Sequence, residues 1–512
     1  MNHVIAAIDV GTNSIHMVVA RATESGFEVI TREKSPARLG EGGGDMKALG
    51  VDAMNRGVAA LAHMRKVADV HGASIFAVAT SAVREANNGE EFIARAATQA
   101  GVDVRVISGV EEARLIHLGA FQALPLAGRR SILIDIGGGS TEVIVADDES
   151  ELFARSFKIG AVRLTNRFFP DGIVRTAAVQ DCRRYVESMV EPVRREIRSL
   201  GHDVAVASSG TAETIARIIL MADDRQLPSS MNGVTFSSRR LSRITAQIVG
   251  AGGVSERRDI PGMDPARADI IVAGSLILDV LAESFRIDKF TFSDFALREG
   301  VLLDATRRLQ PGVDPLGRDI AVASARKLCR RCDNDPDHAE TVARIAMRIF
   351  EQLCDSHEVD PRDGVLLECA ALLANTGLTV SHARHHLHSY YIIRNADLLG
   401  LSQHDIELVA QVARYHRKSE PKGEHPAFAA LGDEDKAKVT VLAGVLRVAI
   451  GLDRTHDGRV TDATLETGKK KIRISASARD GSDISLNLYA ANERRRLLEV
   501  ALHAPVVVEQ AE

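Results

Sequence analysis

Short runs of apolar residues alternate with glycine-rich turns and with segments of helical spacing over the first quarter of the chain. Residues 4–8, 15–20 and 27–31 predict three β-strands, because their apolar runs are bounded by turn residues. The spacing over 51–70 predicts an amphipathic helix. The later segments predict, in order, strand 75–79, helix 89–100, strand 102–107 and helix 110–123. The sequence therefore predicts an α/β layer with a mixed sheet.

The same pattern restarts near residue 132. The segments IAAIDVGTNSIHMVVA and ILIDIGGGSTEVIVA each contain an apolar strand that ends in Asp, a glycine-containing turn with a hydroxyl residue, and a second apolar strand. The matched positions are Asp9 and Asp135, Gly11 and Gly137, and Ser14 and Ser140. An internal repeat of this length predicts two similar lobes that face each other across a cleft.

The pattern changes again after about residue 306. Prolines and glycines between 311 and 317 predict a linker, and residues 317–450 have helical spacing. The last stretch predicts two strands, 472–475 and 484–488, followed by a helix over 493–502. We therefore expect a helical region and then a small α/β tail.

Composition narrows the class of partner. The chain has 512 residues, a net charge of −5, 4% aromatic residues and no Trp, so we expect no nucleic-acid partner. No run of 18 apolar residues and no signal-peptide pattern occurs, which predicts no integral membrane contact and a cytoplasmic location. Five cysteines, an odd number, indicate reduced thiols rather than a disulfide framework.

The two repeated turns are candidate phosphate sites. Glycines allow backbone N–H groups to converge on an anion, and short polar side chains add donors. The candidate donors are Gly11, Thr12, Asn13 and Ser14 in the first turn and Gly137, Gly138, Gly139, Ser140 and Thr141 in the second. Because a carboxylate repels a phosphate unless a hard cation lies between them, Asp9 and Asp135 predict Mg²⁺. The alternative is two ordinary tight hairpins, which a matched pair disfavours.

A third turn, Gly210 and Thr211 in ASSGTAETI, lies between a predicted strand and a helix. The free N–H groups of a helix start bind phosphate readily, although a simple capped helix explains the same pattern.

Two charged candidates complete the predicted site. Glu112 shares a helical face with Leu115 and Ile116, whereas Glu111 shares one with Arg114, which suggests a solvated pair. Glu112 is therefore expected to point inward, where a carboxylate can deprotonate water. Arg84 follows a predicted strand and can grip a phosphate, although a surface arginine is an equal alternative.

The motifs DVGTNS, TSAVREA, SGVEEARLI, DIGGGSTE, SSGT and FALREGVL together resemble the exopolyphosphatase and guanosine pentaphosphate phosphohydrolase (Ppx/GppA) family. The resemblance implies two actin-like, ribonuclease H-like lobes around a cleft, then an all-α domain similar to HD phosphohydrolases and a small α/β domain. The implied boundaries are 1–124, 125–305, 306–455 and 456–512.

The resemblance also implies a mechanism. The three turns would hold phosphate, and Mg²⁺ would lie near Asp135 and Glu142, with Asp9 as a further candidate ligand. Arg84 would bind the phosphate being cleaved, and Glu112 matches the family's catalytic glutamate. Long members of the family are commonly homodimers, and a potassium requirement is known among them.

The helical domain departs from the HD pattern. Ala374 and Asn375 stand where a His-Asp metal pair is expected, so a second metal centre is doubtful. The histidines at 382, 385, 386 and 388 favour a polyanion-binding or structural role. Local basic clustering suggests that Arg384, Arg414 and Arg417 form a track for a long anionic substrate; a solvated helical face is the alternative.

Three functions fit the sequence. The first is an exopolyphosphatase acting on inorganic polyphosphate, which the basic helical domain favours. The second is a guanosine pentaphosphate (pppGpp) 5'-phosphohydrolase, for which pppGpp or ppGpp would be ligands. The third is a sensor of polyphosphate or alarmone nucleotides without turnover, and the joint presence of Glu112, Arg84, Asp135 and Glu142 argues against it.

Overall fold

The structure is a computed structural model that describes residues 3–23, 26–41, 46–148, 150–308, 318–357, 359–396, 398–468 and 471–511. The chain divides into two units, Met1–Val313 and Asp314–Glu512. The linker predicted at 311–317 lies outside the described residues. Within the described ranges, we find no helix whose length and apolar character would let it span a bilayer.

The first unit begins with a five-stranded mixed sheet. Its strands β1 to β5 are Val4–Val10, Ile15–Thr23, Gly26–Ser35, Ser74–Ala79 and Val104–Val106, in the order β3-β2-β1-β4-β5. The helices α1 to α4 are Val51–Val70, Ser81–Glu85, Gly89–Arg95 and Gly109–Ala123. β1, β2 and β3 are antiparallel, whereas β4 runs parallel to β1 and β5 parallel to β4. The predicted mixed α/β layer is confirmed.

A six-stranded sheet forms the second lobe of this unit. Its strands β6 to β11 are Arg130–Ile136, Thr141–Asp147, Ser150–Phe157, Val204–Ser208, Thr235–Ser237 and Lys289–Ser293, in the order β10-β11-β9-β6-β7-β8. The helices α5 to α11 are Ala161–Phe168, Thr176–Leu200, Ser209–Ala222, Ser238–Gly250, Val254–Arg258, Ile271–Phe285 and Leu297–Arg308.

The predicted repeat is confirmed at the level of register. In the first hairpin Asp9 lies opposite His16, and in the second Asp135 lies opposite Glu142. Each turn is closed by the same hydrogen bond, from the glycine N–H to the carbonyl of the serine three residues later: Gly11 to Ser14 and Gly137 to Ser140. Both aspartates therefore leave their strands in the same direction.

One apolar cluster joins the two lobes. It contains Ile5 and Val18 from the first sheet and Leu133 and Ile144 from the second, together with residues of α4 and α11. Helix α11 packs against α4 and β1, so the end of the second lobe returns to the first. This shared core fixes the two hairpins relative to each other.

The second unit contains helices and a three-stranded sheet. The helices α12 to α18 are Arg318–Cys332, Pro336–Ser356, Gly364–Leu373, His385–Arg394, Gln403–Arg414, Pro426–Ala429 and Asp433–Leu452. The tail that follows contains β12 Val460–Thr467, β13 Ile472–Ala478, α19 Ser485–Asn492, α20 Arg496–Leu502 and β14 Val506–Gln510, with sheet order β12-β13-β14.

The predicted strand at 484–488 is wrong. Apolar residues alternate there, but the segment forms the start of helix α19 and leaves Leu486 exposed. Gly444 and Gly451 on α18 explain the packing, because a Cβ at these positions would lie 2.8 Å from Leu498 and 2.4 Å from Ala491. Two helices can therefore approach α18 closely, which a local pattern does not reveal.

Candidate active site

A cleft of about 180 Å³ opens between the two hairpin turns of the first unit. The starts of helices α4 and α7 and the residues that follow β11 complete its wall. The predicted residues that line it are Asp9, Gly11, Thr12, Asn13, Ser14, Glu112, Asp135, Gly137, Gly138, Ser140 and Gly210. Sequence reasoning thus identified both turns, the third loop and the candidate base.

The glycines of the second turn allow the two lobes to touch. A Cβ at Gly139 would lie 2.3 Å from Oγ of Ser81 and 2.8 Å from Oγ1 of Thr12. A Cβ at Gly138 would lie 2.9 Å from Cβ of Thr12. These glycines therefore admit side chains of the first lobe, which differs from the predicted approach of a phosphate to all three.

Asp135 ends β6 and is held by two hydroxyls at the start of α7. Oγ of Ser209 donates to its carboxylate at 2.7 Å, and Oγ of Ser208 donates to Oδ2. Ser209 has a left-handed φ of 69°, which is unusual for a residue with a side chain. Burial raises the pKa of Asp135, and the two serine hydrogen bonds oppose that rise.

Glu142 lies directly opposite Asp135 and is almost fully buried, but it does not line the cleft. Oγ of Ser156 donates to its Oε1 at 2.7 Å. Burial raises the pKa of Glu142 well above its usual value, and the neighbouring carboxylates of Glu112 and Asp135 raise it further. A group in this position favours a nearby cation or a proton.

Glu112 points into the cleft from the first turn of α4. Its Oε2 accepts a hydrogen bond from Nη1 of Arg84 at 3.0 Å, and the same nitrogen donates to the carbonyl of Ile107 at 2.8 Å. Burial raises the pKa of Glu112, and the Arg84 guanidinium opposes this effect. Arg84 does not itself line the cleft. The arrangement supplies a fixed carboxylate with a proton affinity above that of an exposed glutamate.

The reasoning that separated the two glutamates was half right. Glu111 does pair with Arg114, at 2.8 Å, as predicted. The pair is buried rather than solvated, and Arg114 also binds Asp304 of α11 at 2.9 Å. Helix α11 covers this face of α4. The two helices are far apart in sequence, so the local pattern around Glu111 could not reveal this contact.

Asp9 is the least satisfied carboxylate of the cleft. Its Oδ1 is buried and has no hydrogen-bond partner within the described part of the chain. Burial, followed by the carboxylate of Glu112, raises the pKa of Asp9 to about 7, while Arg298 opposes the rise. An orphaned carboxylate oxygen in a polar cleft is a suitable ligand for a hard cation.

The donor set can be tested against the predicted Mg²⁺. No cluster of three or more His, Cys, Asp or Glu side chains able to hold a metal is found among the described residues. Mg²⁺ does not need one, because it is commonly bound by one or two carboxylates with waters and phosphate oxygens. Asp9 and Asp135 both line the cleft, and the like charge of Asp135 raises the pKa of Asp9 and that of Glu142. The donor chemistry therefore fits this cation.

Two other predicted residues, Thr141 and Thr211, have structural contacts instead. Thr141 donates its hydroxyl to the carbonyl of Ile159 and is fully buried. Thr211 is buried beside Gly274, where a Cβ would lie 2.7 Å from its methyl group. Gly210 lines the cleft, and the guanidinium of Arg267 lies over it so closely that a Cβ would collide. The third loop is thus partly covered by an arginine.

Sequence reasoning missed His16, Lys34, Arg267 and Arg298, which all line the cleft. His16 was detectable, because it occupies the position in the first hairpin that Glu142 occupies in the second. Lys34 and Arg267 come from distant segments that no quoted motif marks, whereas Arg298 stands in the motif FALREGVL, to which no role was assigned. They give the cleft a cationic side that the motifs did not predict.

The remaining predicted residues belong to the second unit. Arg384 and Arg414 line one pocket of about 260 Å³ with His386, Lys418 and His425. Arg417 does not line it, because its Nη1 lies 3.0 Å from Nδ1 of His385. Nε2 of His385 in turn lies 3.2 Å from Nε2 of His416. No carboxylate takes part in this histidine chain, which agrees with a structural role.

The sequence profile of the Ppx/GppA phosphatase family matches residues 18–309, and that of Ppx/GppA phosphatase domain III matches 320–503. This chain belongs to the Ppx/GppA phosphatase family. A guanosine-5'-triphosphate,3'-diphosphate pyrophosphatase of Pseudoalteromonas translucida is 29% identical over 450 residues, covering 88% of this chain and 86% of that protein.

Solved structures of Ppx/GppA proteins match the first unit. An exopolyphosphatase from Cytophaga hutchinsonii has a TM-score of 0.57 and 29% identity, over 60% of this chain and 99% of that one. The Aquifex aeolicus PPX-GPPA enzyme has a TM-score of 0.51 and 26% identity, over 59% and 99%. The predicted two-lobed actin-like fold is confirmed, whereas the HD-like assignment and the four domain boundaries stay predictions.

Proposed function

We propose that this Ppx/GppA phosphatase hydrolyses the terminal phosphoryl group of inorganic polyphosphate. The observation that carries the proposal is the position of Glu112, a buried carboxylate that lines a polar cleft of about 180 Å³ and is fixed by Arg84. Two hairpin turns and a helix start surround it with short polar side chains and backbone N–H groups. These are the components that bind and orient a phosphoryl group.

Glu112 would act as the general base. It accepts a proton from a water molecule, whose oxygen bonds to the terminal phosphorus as the bridging P–O bond breaks. The products are orthophosphate and a chain one unit shorter. The raised pKa of Glu112 suits this role, because proton transfer is most effective when the pKa of the base lies near the working pH. Arg84 would act through Glu112, whose carboxylate it holds in place, because its own side chain does not line the cleft.

Mg²⁺ would be held by Asp9 and Asp135, with Glu142 behind Asp135. When bound, it would supply positive charge that offsets the phosphoryl oxygens and the crowded carboxylates. The hydroxyls of Ser208 and Ser209 would keep Asp135 oriented toward the cleft. A potassium requirement and a homodimer remain part of the proposal because the family resemblance implies them, and a cytoplasmic location remains part of it because the sequence has no signal-peptide pattern.

The second unit would bind a distal part of the polymer. Arg384, Arg414 and Lys418 share a pocket whose described lining includes no carboxylate, and none of the three has an ion-pair partner within the described ranges. His386 lines the same pocket, and its buried Nδ1 has no hydrogen-bond partner among the residues that the structure describes. Long chains would gain affinity from such remote contacts, whereas short phosphates would not.

The distal contact can be tested with a charge-removal pair. Arg384→Met with Arg414→Met should raise KM for chains of hundreds of phosphates by about 10-fold, with little change for tripolyphosphate. Arg394→Met is the matched control, because Arg394 ends α15, the helix that begins directly after Arg384, but is paired with Glu407. Equal changes for long and short substrates would contradict the proposed role.

A second candidate substrate is pppGpp. The relative from Pseudoalteromonas translucida covers both units, and its name specifies a guanosine-5'-triphosphate,3'-diphosphate substrate. The same cleft and the same base would perform that reaction, since the terminal anhydride is chemically equivalent. The basic pocket of the second unit favours the polymer.

Hydrolysis can be distinguished from binding without turnover by isotope incorporation. In ¹⁸O-labelled water, turnover of polyphosphate should yield orthophosphate that carries one labelled oxygen per cleaved bond. Release without label, or no release despite tight binding, would contradict the proposed reaction.

A further inference from the structure

The two hairpins that form opposite walls of the cleft have the same backbone arrangement but carry different side chains. Directly paired residues on neighbouring strands point to the same face of a sheet. The register therefore gives each hairpin one row of three paired residues: Asp9–His16–Lys34 in the first lobe and Asp135–Glu142–Ser156 in the second. All three residues of the first row line the cleft, whereas in the second row Asp135 lines it and Glu142 and Ser156 lie behind it. The aspartate is retained, whereas a histidine replaces the glutamate and a lysine replaces the serine. The first wall is therefore the more cationic one.

The cations on this wall are only weakly compensated by carboxylates. Lys34 lies exposed at the edge of the cleft and has no ion pair within the described ranges. Within the part of the chain that the structure describes, Arg298 forms one ion pair, with Glu299 at 3.6 Å. Two further carboxylates of this region already face other arginines: Asp264 faces Arg267 at 3.7 Å and Glu213 faces Arg217 at 3.7 Å. The weakly compensated cations are therefore Lys34 and Arg298.

His16 holds Arg298 in this position. Nη1 of Arg298 lies 3.2 Å from Nδ1 of His16, and Nε2 of His16 lies 2.6 Å from Oγ of Ser14. Because a guanidinium only donates, Nδ1 must accept and the ring proton must sit on Nε2, where it is donated to Ser14. Burial and the charge of Arg298 lower the pKa of His16 to about 2, so the ring stays neutral. His16 therefore connects Ser14, in the turn of the first hairpin, to the guanidinium of Arg298.

We propose that Lys34 and Arg298, the latter positioned by His16, form the subsite for the phosphoryl group that stays with the substrate when the terminal one is removed. This rests on the proposed function for the identity of the substrate, but not for the site itself. The carboxylate side of the cleft repels an anion unless a metal ion is present. The cationic side needs no metal ion to attract one.

A cationic subsite in this position would stabilise the leaving group of the reaction. When the bridging bond breaks, negative charge accumulates on the oxygen that remains with the shortened chain. Fixed cations beside that oxygen stabilise the departing group, and they are most effective when already in place. The terminal phosphoryl group would lie near Glu112 and Asp135, and the next group along the chain would lie near Arg298 and Lys34.

The first test measures binding without a metal and without turnover. Titration calorimetry with pyrophosphate in EDTA should show a site in the full chain that Lys34→Met with Arg298→Met weakens at least 10-fold. Arg32→Met is the matched control, because it lies two residues away on the same strand face but outside the cleft. Lys34→Arg should keep the binding. Equal affinity in the double variant and the control would overturn the proposal. If pyrophosphate binds as expected but the parent chain does not hydrolyse polyphosphate, the proposed function fails and the subsite stands.

The second test separates positioning from direct contact. His16→Gln and Arg298→Met should each lower kcat/KM for tripolyphosphate, and the double variant should be little worse than Arg298→Met alone. Independent, additive losses would show that His16 does not act through Arg298. Unchanged turnover in Lys34→Met with Arg298→Met would show that the substrate does not use this subsite, which would also overturn the proposal.

Discussion

Asp9 should destabilise the chain as the pH rises, until a cation binds beside it. Its pKa is raised from 3.8 to about 7, chiefly by burial. The folded state therefore holds a proton that the unfolded state has already lost between these two values. Stability contributed by this group is complete below about pH 4, falls as the pH rises, and is fully lost above about pH 7.

The magnitude follows from the shift. About three pKa units at ~1.4 kcal/mol each set a ceiling of ~4 kcal/mol. Solvent contact in the cleft and coupling to Glu112 reduce this value, so we expect about 2 kcal/mol at pH 8. Asp9→Asn removes the charge and keeps the shape. The variant should therefore gain about 4 °C in Tm over the parent at pH 8 and nothing at pH 4.

Differential scanning calorimetry in EDTA at pH 4 to 8 measures this effect. Asp103→Asn is the matched control, because Asp103 is exposed on the same lobe. Added Mg²⁺ at pH 8 should raise the Tm of the parent more than that of Asp9→Asn, since the variant has lost a ligand. Equal pH dependence of Tm in Asp9→Asn and the parent would refute the reasoning about burial.

Three further substitutions have definite expected outcomes. Gly139→Ala should lower kcat/KM by about 10-fold or more in a phosphate-release assay, because its Cβ would meet Ser81 at 2.3 Å and separate the turns; a neutral effect would contradict this packing. Ser209→Gly should be more stable than Ser209→Ala by roughly 1 kcal/mol in free energy of unfolding, because the φ of 69° favours glycine. Differential scanning calorimetry should show a higher Tm for the glycine variant, and an equal or lower Tm would contradict this. Glu142→Gln should raise Tm at pH 8 without metal, since it removes a buried charge beside Asp135, and a lower Tm would count against the burial argument.

The repeat was the most informative sequence signal. The two matched hairpins predicted both lobes, both aspartates and the cleft. A hairpin is formed by consecutive residues, so its strands, its turn and its polar side chains can be recognised directly in the sequence. The inward orientation predicted for Glu112 is confirmed, because Glu112 lines the cleft, although α4 is buried on all sides from Glu111 to Ala120.

The cationic side of the cleft could not be predicted in this way. Arg298 reaches His16 from the far end of the unit, and Arg267 covers Gly210 from a loop before α10. Such contacts depend on the shared core that brings α11 back to α4, which is a property of the whole fold. The buried Glu111–Arg114 pair and the helix at 484–488 were misjudged for the same reason.

The most direct test of the central claim is orthophosphate release from long-chain polyphosphate and, in parallel, from pppGpp, with Mg²⁺, by the parent chain and by Glu112→Gln. We predict release from the polymer in the parent and a loss of about 100-fold or more in Glu112→Gln, with substrate binding retained. Preference for pppGpp would move the substrate to the second candidate while keeping the base. Undiminished release by Glu112→Gln, or no release from either substrate by the parent, would contradict the claim that this cleft hydrolyses phosphoanhydrides through Glu112.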